Sequence, residues 1–310
     1  MGLSLLLAEE IAAMFLAMVV GYAVVKTNLF TSEDSKIISR MVVYICSPCI
    51  IVNAFQIEMS SDKVQGLGLA FGASVFVHFF MILLMKGLSR PFHLLDIERA
   101  SVIYTNAANL TIPLVASVLG DEWIFYTSAY MIVHTVLFWT HGTGLIIRGG
   151  KRDYRKILLN PNMIAIGVGI LLFCTGISFP VVVNTAITGF GDMIGPVSML
   201  VIGMVIGEID LREVFAPGRA YFICLIRLVL IPAFFAWLFA CLGKLGIHSD
   251  GEYILMVVLL AACAPPATMI TQAAQTYGGE AKYASILNVM CVVFCIVTIP
   301  AMTMFYEVLL

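Results

Sequence analysis

Apolar runs long enough to cross a bilayer as helices account for most of this chain. A membrane-spanning helix needs about 20 mostly apolar residues. Charged residues make up only 12% of the sequence, whereas a typical soluble domain has about 25%. The sequence therefore predicts an all-α integral membrane protein with ten transmembrane helices. The predicted spans are 3–25, 36–57, 66–88, 100–119, 123–147, 161–179, 184–207, 219–243, 253–275 and 283–306.

The lysines and arginines are distributed unequally between the two sides of these spans. Fourteen lie on one side, Lys63 and Lys244 lie on the other, and Arg227 falls inside a span. Because cytoplasmic loops carry the excess of positive charge, that side is predicted to be cytoplasmic and both termini extracytoplasmic. Residues 1–25 contain no Lys or Arg, so we expect the first run to be retained rather than cleaved as a signal peptide. The expected location is the cell (inner or plasma) membrane.

An odd number of helices in each half predicts an inverted repeat. With five helices per half, the second half enters the membrane from the side opposite to the first. We predict a first five-helix repeat at 1–147, a cytoplasmic linker at 148–160 and a second five-helix repeat at 161–310.

Two of the apolar runs, the fourth of each half, contain polar residues and prolines near their middles. The first reads Asn106 to Pro113 within 101–119, and the second reads Ala264 to Thr268 within 253–277. Proline removes a backbone donor and disturbs the preceding helical turn, so each run is predicted to be a broken helix. Broken backbone at membrane depth is tolerated only where protein or water satisfies it. A matched pair of breaks indicates the binding site of a secondary transporter.

An ordered set of short motifs along the whole chain resembles the auxin efflux carrier family, within the superfamily that includes the bile-acid sodium symporters. The motifs include Tyr44 to Cys49, Asn106 before Ile112-Pro113-Leu114, Asn160-Pro161, and Pro265 with Ala267. The resemblance implies a ten-helix carrier in which broken helices 4 and 9 cross, and a homodimer. Bacterial members resemble malate or malonate permeases, and plant members export indole-3-acetate.

The sequence departs from the family pattern at the two breaks. Helix 4 carries Ala107, Ala108, Asn109 and Thr111 where the family usually has Thr-Gly-Phe and a further Gly, and Pro266 doubles the proline of helix 9. These departures concern the substrate rather than the fold. The central loop is short, which is typical of a bacterial member.

Uncharged hydrogen-bond donors near the two breaks are candidates to bind a carboxylate. A half-helix N-terminus offers free N–H groups and a positive dipole, so a carboxylate needs no lysine there. The alternative for each polar side chain is that it satisfies freed backbone or bonds a neighbouring helix. The candidate substrate-binding residues are Asn106, Asn109, Thr111 and Pro113 in helix 4, Pro265, Pro266, Thr268, Thr271 and Gln272 in helix 9, and Asn53 in helix 2.

The coupling ion, a proton or sodium, is left open by the sequence. His78, His134 and His141 lie within predicted spans, where they relay protons or simply bond neighbouring helices. No span carries a central Asp or Glu. Arg227 lies eight residues from Arg219, and we expect its side chain to snorkel toward the cytoplasm rather than pair with substrate.

The favoured function is a secondary active transporter of a small organic anion that works by alternating access. A sodium-coupled symporter of the bile-acid carrier type is the same-fold alternative. An intramembrane aspartyl protease is an alternative of another class, because Gly189 to Asp192 matches the Gly-x-Gly-Asp pattern, but no span supplies the second aspartate that such chemistry needs. The partners expected are the substrate anion and the bilayer. No cofactor, metal, catalytic residue or nucleic-acid partner is expected.

Overall fold

The structure is a computed structural model that describes residues 3–146, 154–208, 210–277 and 280–310. Within these ranges the regular secondary structure is helical and no strand occurs, so the all-α prediction is confirmed. Much of the predicted linker 148–160 lies outside the described residues.

Eighteen α-helices follow one another along the described residues. They are α1 (Leu3–Lys26), α2 (Ser32–Met41), α3 (Ser47–Ala54), α4 (Ser61–Ser89), α5 (Asp96–Ile103), α6 (Ile112–Leu119), α7 (Ile124–Leu137), α8 (Thr143–Ile146), α9 (Tyr154–Leu158), α10 (Pro161–Thr175), α11 (Val181–Asp192), α12 (Ile194–Glu208), α13 (Leu211–Phe215), α14 (Gly218–Leu225), α15 (Ile231–Gly243), α16 (Gly251–Cys263), α17 (Thr268–Tyr277) and α18 (Ala281–Leu309).

Five helical stretches of the described chain are long and apolar enough to cross a membrane. They are Glu33–Ala54, Ser61–Ser89, Val181–Gly207, Gly218–Gly243 and Ala281–Leu309. Shorter apolar helices occur at Ala12–Lys26, Asn109–Leu119, Pro161–Thr175 and Gly251–Cys263. A multi-pass membrane protein follows from these lengths and compositions, while the count of ten spans and the inverted repeat stay predictions.

Three prolines inside the apolar stretches do not break their helices. Pro48, Pro113 and Pro232 are each the second residue of an α-helix that directly follows a five-residue π-helical turn. The turns are Val42–Cys46, Ala107–Thr111 and Ile226–Leu230. A π-helical turn is one of the local adjustments by which a membrane helix accommodates the hydrogen bond that proline lacks. The helix therefore continues through Pro113, and the break predicted there lies upstream of it.

The described chain divides into two compact units. The first unit contains residues 1–67, 108–128 and 158–209, and the second contains residues 68–107, 129–157 and 210–310. Each unit draws segments from both predicted repeats. The boundary between the units at residues 107 and 108 falls within the π-helical turn Ala107–Thr111.

In the first unit, α1 and α12 pack backbone against backbone at two glycines. A Cβ atom at Gly203 would lie 1.9 Å from the carbonyl oxygen of Met18, and one at Gly21 would lie 2.1 Å from that of Leu200. Small residues are what allow membrane helices to approach so closely, because packing rather than the hydrophobic effect holds such helices together.

In the second unit, a bidentate ion pair fixes the beginning of α5. Arg219 of α14 donates from Nε to Glu98 Oε1 at 2.5 Å and from Nη2 to Glu98 Oε2 at 2.7 Å. The same carboxylate accepts the Leu95 N–H and the Tyr283 hydroxyl, at 2.8 and 2.9 Å. Glu98 is fully buried, so α5, α14 and α18 are joined through one desolvated carboxylate.

Candidate substrate site at two paired helix breaks

The first break separates α5 from the helical turn that follows it. Helix α5 ends at Ile103, and Tyr104 takes an extended conformation (φ −103°, ψ 125°). Helical structure resumes at Ala107. Asn106 is therefore the last residue of the break rather than part of a helix. Its side chain is buried, with 4% of its surface exposed.

The second break separates α16 from α17, and its two prolines lie inside it. Helix α16 ends at Cys263, Ala264 is extended (φ −61°, ψ 151°), and α17 begins at Thr268. Proline disfavours the helical conformation in the residue before it, and two consecutive prolines impose this on both Ala264 and Pro265. Local sequence is therefore sufficient to explain this break.

The two breaks pair with each other through their main chains, within the second unit. The Asn106 N–H donates to the Pro265 carbonyl at 2.8 Å, and the Ala267 N–H donates to the Tyr104 carbonyl at 3.0 Å. The pairing is antiparallel, as in a β-bridge. It provides for the backbone groups that the breaks release, which cannot stay unpaired at membrane depth. This contact brings the predicted site residues Asn106, Pro265 and Pro266 together.

Side chains of the second unit satisfy further carbonyls of the second break. Asn288 of α18 donates its side-chain amide to the Pro266 carbonyl at 3.0 Å. The Cys295 thiol lies 3.8 Å from the Cys263 carbonyl. Arg227 donates to the carbonyls of Ala262, at 2.8 Å, and Ala264. The carbonyls from Ala262 to Pro266 thus all have partners.

The Asn106 side chain is different: it is largely buried, and the hydrogen bond found for Asn106 among the described residues is that of its backbone N–H. Its backbone is fixed on both sides by the paired breaks. The side chain is therefore held in place by the backbone and free to bind something else.

The remaining predicted residues of helix 4 belong to the first unit. Thr111 is fully buried and Asn109 is half-buried; the Thr111 hydroxyl and the Asn109 Oδ1 are buried without a hydrogen-bond partner among the described residues. Pro113 is the second residue of α6. In helix 9, Thr268 and Thr271 are half-buried and Gln272 is exposed. The sequence missed the role of Asn288, whose amide gives no pattern of its own.

Asn53 lines a cavity of the first unit, of about 340 Å³, rather than a helix break. Gln56, Asn184, Asp121 and Glu122 contribute to the same cavity, and Gln56 donates to Asn184 at 2.9 Å. Burial, followed by the negative charges of Asp192 and Glu122, raises the pKa of Asp121. Asn53 thus has polar and acidic neighbours.

The three histidines of the predicted spans belong to the second unit and pack among tyrosines. His78 and His134 are buried with ring centroids 5.8 Å apart, and His78 Nδ1 bonds the Ser74 carbonyl at 2.8 Å. His141 Nδ1 lies 2.7 Å from the Tyr104 hydroxyl, directly beside the first break.

The prediction that Arg227 snorkels toward the cytoplasm is wrong. Its side chain has no exposed surface, and its guanidinium bonds the end of α16. Two freed carbonyls attract the guanidinium more strongly than distant water does, because charge-assisted hydrogen bonds are the stronger kind.

The comparison with protein families agrees with the apolar helices of the chain. A family model described as membrane transport protein, which covers the auxin efflux carriers, matches residues 6–157 and residues 150–303. The chain belongs to this family. The resemblance drawn from the sequence motifs is thereby confirmed. A comparison with curated proteins found no significant match.

Membership of the auxin efflux carrier family makes the chain a membrane transporter. A transporter family agrees with a protein that is not an enzyme, and the Gly-x-Gly-Asp sequence at the end of α11 gains no support from it. The family match does not identify the substrate or the coupling ion.

Proposed function

We propose that this protein is a secondary active transporter that moves a small organic anion bearing a carboxylate across the cell membrane by alternating access. The observation that carries the proposal is the position of Asn106 at the paired breaks, where its backbone N–H bonds Pro265 and its largely buried side chain has no hydrogen bond found among the described residues. Malate-like or malonate-like carboxylates and auxin-like acids are the substrate classes proposed.

The chemistry of the breaks suits a carboxylate. The Asn106 amide has two N–H donors, and the oxygens of a carboxylate accept them in charge-assisted hydrogen bonds. Helix α17 begins at the second break, and the positive end of its dipole favours an anion. Thr268, in the first turn of α17, offers a hydroxyl. We assign the first contact to Asn106 and auxiliary contacts within the second unit to Thr268, Thr271 and Gln272; contacts from Asn109 and Thr111 stay predictions from the sequence.

The proposal includes the arrangement expected from the sequence. The proposed carrier has two inverted five-helix repeats, with both termini outside and the central linker in the cytoplasm, and one helix bundle rocks against the other around a site near the bilayer midplane.

Replacing Asn106 by alanine tests the site. We expect the initial rate of carboxylate uptake into reconstituted vesicles to fall about 10-fold to 100-fold, the range for losing a hydrogen bond to a charged group. The melting temperature should change little, because no side-chain hydrogen bond of Asn106 is found among the described residues and its backbone N–H remains bonded to Pro265. Uptake of labelled mono- and dicarboxylates and thermal unfolding in detergent measure the two effects.

Asn288→Ala is the matched control, because it removes an asparagine amide that bonds the same break. The Asn288 amide satisfies the Pro266 carbonyl, so its loss should cost about 1 kcal/mol and lower the melting temperature more than Asn106→Ala does. If Asn106→Ala transports every tested carboxylate at the wild-type rate, Asn106 does not bind substrate and the proposed site is wrong.

A further inference from the structure

Arg227 is a permanent positive charge in the interior of the second unit. It lies in the π-helical turn Ile226–Leu230, within the apolar stretch Gly218–Gly243, and none of its surface is exposed. Among the described residues no ion pair involves it. Because arginine remains protonated in proteins, this charge is balanced by something other than a carboxylate.

The balancing groups are main-chain carbonyls at the C-terminal end of α16. Arg227 Nη1 donates to the Ala262 oxygen at 2.8 Å, and Nη2 donates to the Ala264 oxygen. The C-terminal end of a helix carries the negative end of its dipole, so a cation is stabilised there. The Met81 sulfur, 4.0 Å from Nη1, is a further soft neighbour.

The double proline explains why these oxygens are available to a cation. In a continuous helix the Ala262 carbonyl accepts the N–H of the residue four positions later, which here is Pro266 and has no N–H. The Ala267 N–H, which would bond Cys263, goes to Tyr104 across the paired breaks. Pro266 therefore leaves the Ala262 carbonyl without its helical N–H partner, and Arg227 donates a hydrogen bond to that carbonyl instead.

Freed carbonyls at the end of a broken half-helix are the ligands that a coupling sodium ion takes in many secondary transporters. Here a side-chain cation already occupies two such carbonyls. A second cation beside the guanidinium is repelled by it at the low effective dielectric of a protein interior. The guanidinium of Arg227 thus occupies the carbonyls of Ala262 and Ala264, and its positive charge disfavours the binding of sodium there.

We propose that Arg227 is a resident cation that replaces a bound sodium ion at the end of α16, so that this carrier transports its anion without sodium. Arg227 is a positioning residue. It holds the carbonyls of Ala262 and Ala264, and through them the segment whose Pro265 carbonyl fixes the backbone of Asn106. This inference rests on the proposed function and adds that anion transport is not coupled to sodium.

The first arm of the test measures carboxylate uptake by the wild-type protein in vesicles with sodium or with N-methylglucamine as the only added cation. We expect initial rates that agree within about twofold, well below the tenfold that 1.4 kcal/mol of coupling would give. If the wild type transports carboxylates only with sodium, the inference is overturned and the proposed function stands. If the wild type transports no carboxylate in either buffer, the proposed function fails, and this inference with it.

The second arm replaces Arg227 by alanine, glutamine or lysine. We expect Arg227→Ala and Arg227→Gln to lose about tenfold or more of the rate, and Arg227→Lys, which keeps the charge without the fork of donors, to retain more. Millimolar guanidinium added to Arg227→Ala should restore part of the rate and should leave the reduced rate of Asn106→Ala unchanged. Wild-type rates in Arg227→Gln, or no rescue of a folded Arg227→Ala, overturn a role for the charge. Where the neutral variants do not fold, Arg227→Lys and the wild-type sodium comparison decide.

Discussion

Replacing Gly203 by alanine is expected to lower the melting temperature of the detergent-solubilised protein by about 5–10 °C. The added methyl carbon would lie 1.9 Å from the Met18 carbonyl oxygen and 2.9 Å from the Tyr22 nitrogen, both of them backbone atoms of α1. Backbone cannot rotate away as a flexible side chain does, so α1 and α12 must separate. We expect a cost of about 2–3 kcal/mol, the upper part of the range for overpacking.

Gly72→Ala is the matched control for this substitution. Gly72 lies in the interior of α4, and a Cβ atom there meets nothing within 4 Å. Alanine should therefore be neutral or should stabilise the helix by about 0.5–1 kcal/mol, since glycine is the poorer helix former. Thermal unfolding of both variants under the same conditions separates close packing from helix propensity. Equal melting temperatures for the two variants would show that α1 and α12 do not approach as closely as the structure has them.

The sequence was sufficient for the class of fold and for the family, because both depend on patterns that the chain carries locally. Apolar runs require helices at membrane depth, where each backbone group needs a partner within its own segment. The break at Pro265 and Pro266 could also be predicted, since two consecutive prolines exclude helical conformation on their own. Its partner in helix 4 was expected within Asn106–Pro113 and is found at residues 104–106, at the upstream end of that segment.

The misplaced first break shows what local sequence leaves out. Pro113 follows a π-helical turn and is tolerated within its helix, as Pro48 and Pro232 are in theirs. The extended conformation of Tyr104 is instead stabilised by hydrogen bonding to Ala267, a residue more than 160 positions away. A contact of that sequence separation leaves no signal in a window of helical length.

The position of Arg227 escaped prediction for a similar reason. Counting residues from the predicted cytoplasmic end gives the depth of a side chain but not its neighbours, and either water or a polar interior can satisfy a guanidinium. The deciding fact is that α16 ends beside Arg227 with acceptors released by Pro266. Asn106 was singled out among its neighbours by the resemblance to the family, and its contact with substrate stays a prediction.

Replacing Arg219 by methionine is expected to destabilise the protein by about 3 kcal/mol at neutral pH, because it leaves the Glu98 carboxylate buried without its cation. Glu98 has no exposed surface, while the Arg219 side chain is 42% exposed. Removing the arginine therefore leaves the charge that water cannot reach. Lys282→Met is the matched control: it removes an ion pair with Glu213 whose side chains are 78% and 58% exposed, and such a pair contributes at most about 1 kcal/mol.

The stability lost in Arg219→Met should also depend on pH in a defined direction. Burial by itself raises the pKa of Glu98, but hydrogen bonds from Arg219, the Leu95 N–H and Tyr283 outweigh burial and bring the pKa below its ordinary value of 4.5. In the wild type this carboxylate contributes stability above that value and loses it as the pH falls through the lowered pKa. In Arg219→Met the stabilising cation is gone, and protonation relieves the buried charge. The difference in melting temperature between the two proteins should therefore be largest at neutral pH and shrink toward about pH 4. The prediction is wrong if the difference stays constant over this range or is no larger than that of Lys282→Met. Either result would show that the Glu98 carboxylate does not depend on Arg219. Other contacts would then hold the start of α5, and with it the break that carries Asn106.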